Sequence, residues 1–347
     1  MKIIAPSSDT FYGIICSGLT DKTSLSFTSS NSSFSECVRK DTYNSLTNAP
    51  LTYTKCLNDN GTVSSCEGMK MPRGRLIPES SVKFLQCKFS RLIASEKNGG
   101  AISFTLSGDS LQIDECVFES CETTVSTDSA TGGGAVFVSS ASELIISSSL
   151  LQSCVCYTSY SGDGGAVLIV NLTSDMRIKK CVFCNCHADD DGGGVCIWNC
   201  PIWQETCVFQ SHFIACDGTD SSSSGGGGMI VWSSYAAIGS SECIFSKCSS
   251  AFFGGGLAYY TITSQSFRDA PLSLFSFFNQ NTAMTDCGTD AFFLVWIPSS
   301  PFLHSFSTSD SPRIGVEPTY ANWNNTTDYS HPDNWLPLGT LSQLVVL

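Results

Sequence analysis

The sequence predicts an all-β chain, a right-handed parallel β-helix: one solenoid of about seven regular coils with irregular N- and C-terminal caps. Three observations predict it. Glycine pairs recur, ending at Gly100, Gly134, Gly165, Gly194, Gly228 and Gly256. Small sulfur or apolar anchors recur between them, at Leu92, Cys121, Cys154, Cys186, Cys216 and Cys248. From Gly100 to Cys121, Gly134 to Cys154, Gly165 to Cys186, Gly194 to Cys216 and Gly228 to Cys248 the step is 20–22 residues, whereas anchor to glycine varies from 8 to 13. A stiff stretch alternating with an elastic one, at an overall period of about 30 residues, is how a stacked repeat reads.

The stiff part supplies two strands per coil. Leu111 and Ile113, then Cys116 and Phe118, precede Cys121; Met176 and Ile178, then Cys181 and Phe183, precede Cys186. Apolar positions within each pair lie two apart, the period of a strand, and the pairs are offset by one residue where a chain turns a corner. An aromatic or leucine stands three residues before each anchor: Phe89, Phe118, Leu151, Phe183, Phe213 and Phe245. Phe118, Phe183, Phe213 and Phe245 are expected to stack in one internal ladder beside Cys121, Cys186, Cys216 and Cys248. After the glycines comes a third apolar run, as in Ala135–Val138, Ala166–Ile169 and Val195–Trp198. Three short strands per coil result.

Glycine suits a tight corner because it tolerates positive φ and close backbone approach. Stacking also places each glycine over its counterpart, so one column is expected. The elastic segments, including Glu122–Thr131, His187–Asp191 and Asp217–Ser224, are rich in Ser, Thr and Asp and read as loops on one side. Phe278-Asn-Gln-Asn281 starts a seventh coil, in which Asp290 takes the last glycine's place. The rhythm fades outside this span. Residues 1–78 read as an N-terminal cap or degenerate coil, 79–297 as the β-helix, and 298–347, with Trp323, Pro332, Trp335 and Pro337, as a C-terminal cap or linker.

Net charge is −13, which argues against nucleic acid as a partner, since phosphate binding needs clustered Lys and Arg. The chain has no run of 18 apolar residues, so no transmembrane segment is expected. Low charge content and Ser/Thr-rich polarity fit a cell-surface or secreted location, although no signal peptide is evident. Five N-glycosylation sequons start at Asn31, Asn60, Asn171, Asn324 and Asn325, relevant to a chain secreted in a eukaryote.

The 19 cysteines allow two readings. Cys116/Cys121, Cys181/Cys186 and Cys243/Cys248 could bridge in an oxidising compartment. Alternatively most are small inward side chains in ladders of free thiols, with disulfides among Cys16, Cys37, Cys56 and Cys66. Cys196 matches Val136, Val167 and Ile230, a core slot. The Cys181, Cys184, Cys186, His187, Cys196, Cys200 cluster has spacing a zinc site could use, but the repeat already explains Cys181, Cys186 and Cys196. Asp189, Asp190 and Asp191 could hold Ca²⁺, yet lack the alternating spacing of a calcium loop and read as a solvated tip. No metal, cofactor or catalytic set is therefore assigned.

Gly133-Gly134-Ala135-Val136, Gly164-Gly165-Ala166-Val167 and Phe278-Asn-Gln-Asn281, with Cys replacing Asn at most anchors, resemble the repeats of the polymorphic outer-membrane proteins of chlamydiae. They look equally like expanded surface-protein families of anaerobic protists. The resemblance spans about Val82–Trp296 and implies a right-handed β-helix of the pectin-lyase-like kind, displayed at the cell surface for adhesion or antigenic variation. Its expected partner is a host-surface or extracellular glycan or protein, met by the loops at Thr123–Ala130, Asp189–Asp191 and Asp217–Ser224. Many pectin-lyase-like proteins are polysaccharide lyases or glycoside hydrolases, which supplies the alternative. Arg177-Ile-Lys179 and Asp189-Asp190 resemble two polygalacturonase motifs, but in reversed order, and no histidine is flanked by glycine.

Overall fold

The computed structural model describes residues 51–60, 75–95 apart from 79, 98–124, 131–157, 162–200, 203–219, 225–233, 237–261, 276–283 and 291–295, with isolated short strands beyond them. These residues form an all-β parallel solenoid of about five turns, without a helix. The coil from Asp175 to Trp198 shows the unit. Its strands are Asp175–Lys179, Val182–Cys184, His187–Ala188 and Val195–Trp198. Each pairs in parallel and in register with its counterparts in the coils on either side, so the stack has four faces, called here sheets one to four.

The count of four corrects the expected three. The extra strand is two residues long and lies in what the sequence offers as loop: Glu122–Thr123, His187–Ala188 and Asp217–Gly218. Two residues are too few to display alternation. The number of turns is also corrected, from about seven regular coils to about five. The stack weakens towards its end: a register shift between Gln204 and Val208 breaks the first-sheet pairing, and the next first-sheet pair is only Ser240–Ser273 and Ser241–Leu274. At the start, Leu51–Thr54 and Leu57–Asp59 already pair in parallel with Val82–Leu85 and Lys88–Ser90. Solenoid geometry therefore begins inside the 1–78 segment, as a degenerate coil. The C-terminal segment 298–347 lies almost entirely outside the described residues.

Most corners are not made by glycine. Lys180 (φ 54°) ends the first strand and Asn185 (φ 51°) the second, and the equivalent left-handed residues above and below are Ser148, Ser153, Gln210 and Ala215. A left-handed non-glycine residue costs about 1–2 kcal/mol. The cost is offset because each such N–H donates to the next coil, Lys180 to the Phe209 carbonyl at 3.1 Å and Asn185 to that of Ile214 at 2.9 Å.

The residue after each such corner turns inward, and this is the anchor. Cys186 Sγ donates to the Leu151 carbonyl of the previous coil (3.4 Å) and to that of Cys184 (3.5 Å); Cys216 does the same to Phe183 and Ile214. Cys121, Cys154, Cys186, Cys216 and Cys248 form one buried column of free thiols, continued by Asn281. A second column runs through Cys87, Cys116, Ser149, Cys181, Ser211 and Cys243, where Ser Oγ takes the role of Sγ. Cys56 is disulfide-bonded, and none of the other described cysteines is its disulfide partner, which lies outside the described residues.

Beside the thiols stands the aromatic ladder. Phe89 stacks on Phe118 at 4.8 Å, Leu151 occupies the next rung, and Phe183, Phe213 and Phe245 continue at 4.8 Å, followed by Phe278 at 5.1 Å. The spacing is that of adjacent β-strands.

The glycines that end the runs fall in two adjacent columns, not one. A Cβ on Gly100 would meet the Gly134 carbonyl oxygen at 2.1 Å, one on Gly134 that of Gly165 at 2.1 Å, and one on Gly165 that of Gly193 at 2.2 Å. Gly194, Gly228 and Gly256 sit one place later, in register with Ala101, Ala135 and Ala166: Ala166 N–H donates to Gly194 O, Gly194 N–H to Gly228 O, and Gly228 N–H to Gly256 O. Later coils carry an extra glycine, because a Cβ on Gly194 or Gly228 would come within 2.9 Å of the ring of Phe213 or Phe245.

Candidate functional site

The fourth sheet has an apolar outer face as well as an inner one. Register places Cys196 opposite Leu168 and Ile230, not opposite Val136 and Val167, whose row continues through Val195 and Met229. Cys196 is thus an outward residue. It is buried nonetheless, with Phe137, Leu168, Ile230, Phe253 and Ala258, in a second core. The lid over that core is the run of corner segments leading into the fourth sheet. These stack on each other: Gly164 N–H donates to Asp191 O, Asp190 N–H to Gly162 O, and Gly192 N–H to Gly225 O. Their glycines let the backbone lie flat on the sheet, since a Cβ on Gly132 would stand 2.9 Å from Leu168 Cδ2.

The carboxylates of Asp163, Asp190 and Asp191 converge in this lid, with ligand atoms all within 4.8 Å of one another. Asp163 is 4% and Asp191 6% exposed. Asp191 accepts from Gly225 N–H and from Trp232 Nε1–H, both at 2.7 Å, which ties the lid to the half-buried Trp232 on the sheet. Burial pushes the Asp163 carboxyl up to about 8, and the Asp190 charge adds to it. Burial likewise raises Asp191, followed by the charges of Asp163 and Asp190. Three carboxylates so close, two of them buried, do not all ionise at neutral pH, so the cluster holds protons. The solvated tip expected at Asp189–Asp191 is therefore corrected for Asp191, which is buried and structural.

A second polar group sits on the third sheet. His187 Nδ1 lies 2.9 Å from Asp217 Oδ2 and its Nε2 3.3 Å from Asp189 Oδ1, with the exposed Tyr157 ring at 5.4 Å. The hydrogen bond with Asp217 raises the His187 pKa, against the lowering by burial. Both nitrogens face carboxylates, so the ring bridges neighbouring coils and its cationic form is favoured relative to a free imidazole.

The candidate zinc residues do not meet. Cys181, Cys186 and Cys200 point into the main core, Cys184 belongs to an outer cluster on the second sheet with Leu150, Val182 and Ile214, and Cys196 lies under the lid. Burial pushes the Cys181, Cys200 and Cys243 thiols up to about 12, which suits core side chains and not metal ligands. Arg177 sits on the first sheet, exposed and paired with Asp175 at 2.7 Å. Sequence reasoning missed Asp163 because it lies in a different coil from Asp190, and only stacking joins them. The expected binding loops at 125–130 and 220–224 lie outside the described residues.

No family model, curated protein or solved structure matches this chain. Among the described residues no helix is long and apolar enough to cross a membrane.

Proposed function

We propose that this solenoid is a non-enzymatic cell-surface or secreted module for display or adhesion, with right-handed coils of the polymorphic outer-membrane-protein type. One observation carries the reading: in the one three-carboxylate cluster among the described residues, Asp163 and Asp191 are buried within the lid and Asp191 is tied to Trp232, which suits a structural group better than an open catalytic cleft. The repeat fixes a stiff rod, and the variable segments between anchor and glycine carry whatever specificity it has. Its partner is a host-surface or extracellular glycan or protein. Antibody labelling of intact cells tests the location, and saturable binding of the purified chain to immobilised glycans and matrix proteins tests the role. Exclusively internal labelling, or no binding to any surface, overturns the proposal.

The second reading is a glycoside hydrolase or polysaccharide lyase. It draws on Asp163, a carboxyl that stays protonated at neutral pH, beside a second carboxyl within 4.8 Å, since acid and nucleophile in retaining glycosidases stand about 5 Å apart. Incubation with polygalacturonate and other acidic glycans, with and without Ca²⁺, separates the two. Turnover that vanishes in Asp190→Ala or Arg177→Ala favours the enzyme.

A further inference from the structure

We propose that Asn171 is an acceptor for an N-linked glycan, which would stand at the exit of the fourth sheet. The inference rests on the secreted reading for its setting, but the acceptor geometry is a property of the chain itself. Asn171-Leu172-Thr173 spans the corner after strand Val167–Val170. Asn171 is exposed with φ 52°, Leu172 is buried, and Thr173 is exposed. The sequon therefore pins itself by its middle residue and presents Asn171 outward, while the hydroxyl of the exposed Thr173 donates to the Ala141 carbonyl at 3.2 Å.

The hydrogen bonding at this corner is compatible with the modification. Asn171 Oδ1 accepts from Asn199 Nδ2 of the next coil at 2.7 Å. Glycosylation uses the other amide atom. Asn171 Nδ2 bonds to the anomeric carbon of a lipid-linked oligosaccharide, the bond from that carbon to the pyrophosphate oxygen breaks, Nδ2 loses one proton, and the lipid pyrophosphate leaves. Oδ1 and its bond to Asn199 survive. The backbone is held too, since Asn171 N–H donates to the Trp198 carbonyl at 3.0 Å and Thr173 N–H to that of Ala141 at 3.0 Å. Asn199 takes the same left-handed corner one coil on, but Cys200-Pro201 follows it and completes no sequon. Of the other sequons, Asn60 shares the exposed left-handed conformation (φ 47°), while Asn31, Asn324 and Asn325 lie outside the described residues.

The test is secretion of the full chain, behind an added leader, from cultured eukaryotic cells. Release of glycans by an amidase in ¹⁸O-water converts each occupied Asn to labelled Asp, read by peptide mass mapping. Label at Asn171, lost in both Asn171→Gln and Thr173→Ala while the secreted protein keeps its wild-type circular dichroism, is the expected result. Folded, secreted chain with an unlabelled Asn171 peptide overturns the inference. The surface reading fails separately, through internal labelling of the native cells, and neither failure imitates the other.

Discussion

At the scale of single residues, two kinds of inward side chain set the stability of the stack. Phe183 is fully buried between Leu151 and Phe213. Truncation to alanine leaves a ring-sized void in a packed column, so Phe183→Ala is expected to destabilise by about 3–5 kcal/mol in denaturant melts. A loss under about 1 kcal/mol would show that the ladder carries little of the core energy. The anchor position acts differently, by pairing backbone groups at a corner. Asn281 does it most fully: Oδ1 accepts from Cys248 N–H at 2.9 Å and Nδ2 donates to the Phe245 carbonyl at 3.1 Å. Cys fills the same slot with weaker bonds, which explains why Asn and Cys interchange there, while Ser interchanges with Cys in the neighbouring column. Asn281→Leu keeps the bulk but orphans two buried backbone groups, so it should cost about 1–3 kcal/mol for each. Asn281→Cys should recover part of that loss, and equal melting of the two variants would remove the hydrogen-bonding account.

At the scale of strands and corners, what was legible in the sequence follows from what repeats and what only stacks. Alternation in Leu111/Ile113 and Met176/Ile178 gave the first two sheets, and the glycine runs gave the entry to the fourth. The corners at Lys180 and Asn185 showed only as the one-residue offset between apolar pairs; their left-handed conformation left no residue-type signal, because the compensating bonds run to other coils and place little demand on the side chain. The glycine column slipped by one at Gly194 for a related reason: extra glycines answer the neighbouring phenylalanine ring, which adjacency in sequence does not reveal. Cys196 was misplaced by the same one-residue slip, which in a strand exchanges inside for outside.

The lid over the fourth sheet carries a pH dependence. Asp163 holds its proton up to about pH 8 when folded, whereas an unfolded Asp releases it near 3.9. A group with a raised folded pKa contributes stability that is complete below the unfolded pKa and is lost as pH rises through the folded one. Stability should therefore decline between about pH 4 and pH 8, by about 1.4 kcal/mol per pH unit for one retained proton, then level off. Asp191 and His187 are shifted in the same direction and steepen the decline within their own ranges. Asp163→Asn mimics the protonated carboxyl and should flatten the profile, while His187→Gln should change the slope only above about pH 6.5 and lower the stability below it by a constant amount. A wild-type melting temperature constant from pH 5 to pH 8 would rule out proton retention by the cluster.

At the scale of the whole molecule, a solenoid is stabilised by nearest-neighbour interfaces, so its ends decide whether it stays alone. The N-terminal end of the regular stack is closed by the degenerate coil. Leu51–Thr54 and Leu57–Asp59 pair along Val82–Leu85 and Lys88–Ser90, Lys55 N–H donates to Leu85 O, and Lys88 N–H to Cys56 O. Tyr53 stacks on Phe84 at 5.2 Å, and Asn58 stands in register with Phe89 at the start of the aromatic column. Removing residues 1–78 strips these bonds and bares Phe84, Cys87 and Phe89 at once. Unpaired parallel strands over an open apolar core are a template for a second copy of the same edge. The truncated chain should therefore remain rich in β-structure by circular dichroism, melt lower than the full chain, and elute as an oligomer in size-exclusion chromatography. Single charged substitutions at the new edge, such as Phe84→Lys, should restore the monomer at a further cost in stability, because they penalise pairing and core alike. A truncated chain that elutes as a monomer with an unchanged melting temperature would mean that the segment is a tether and that the regular coils close their own end.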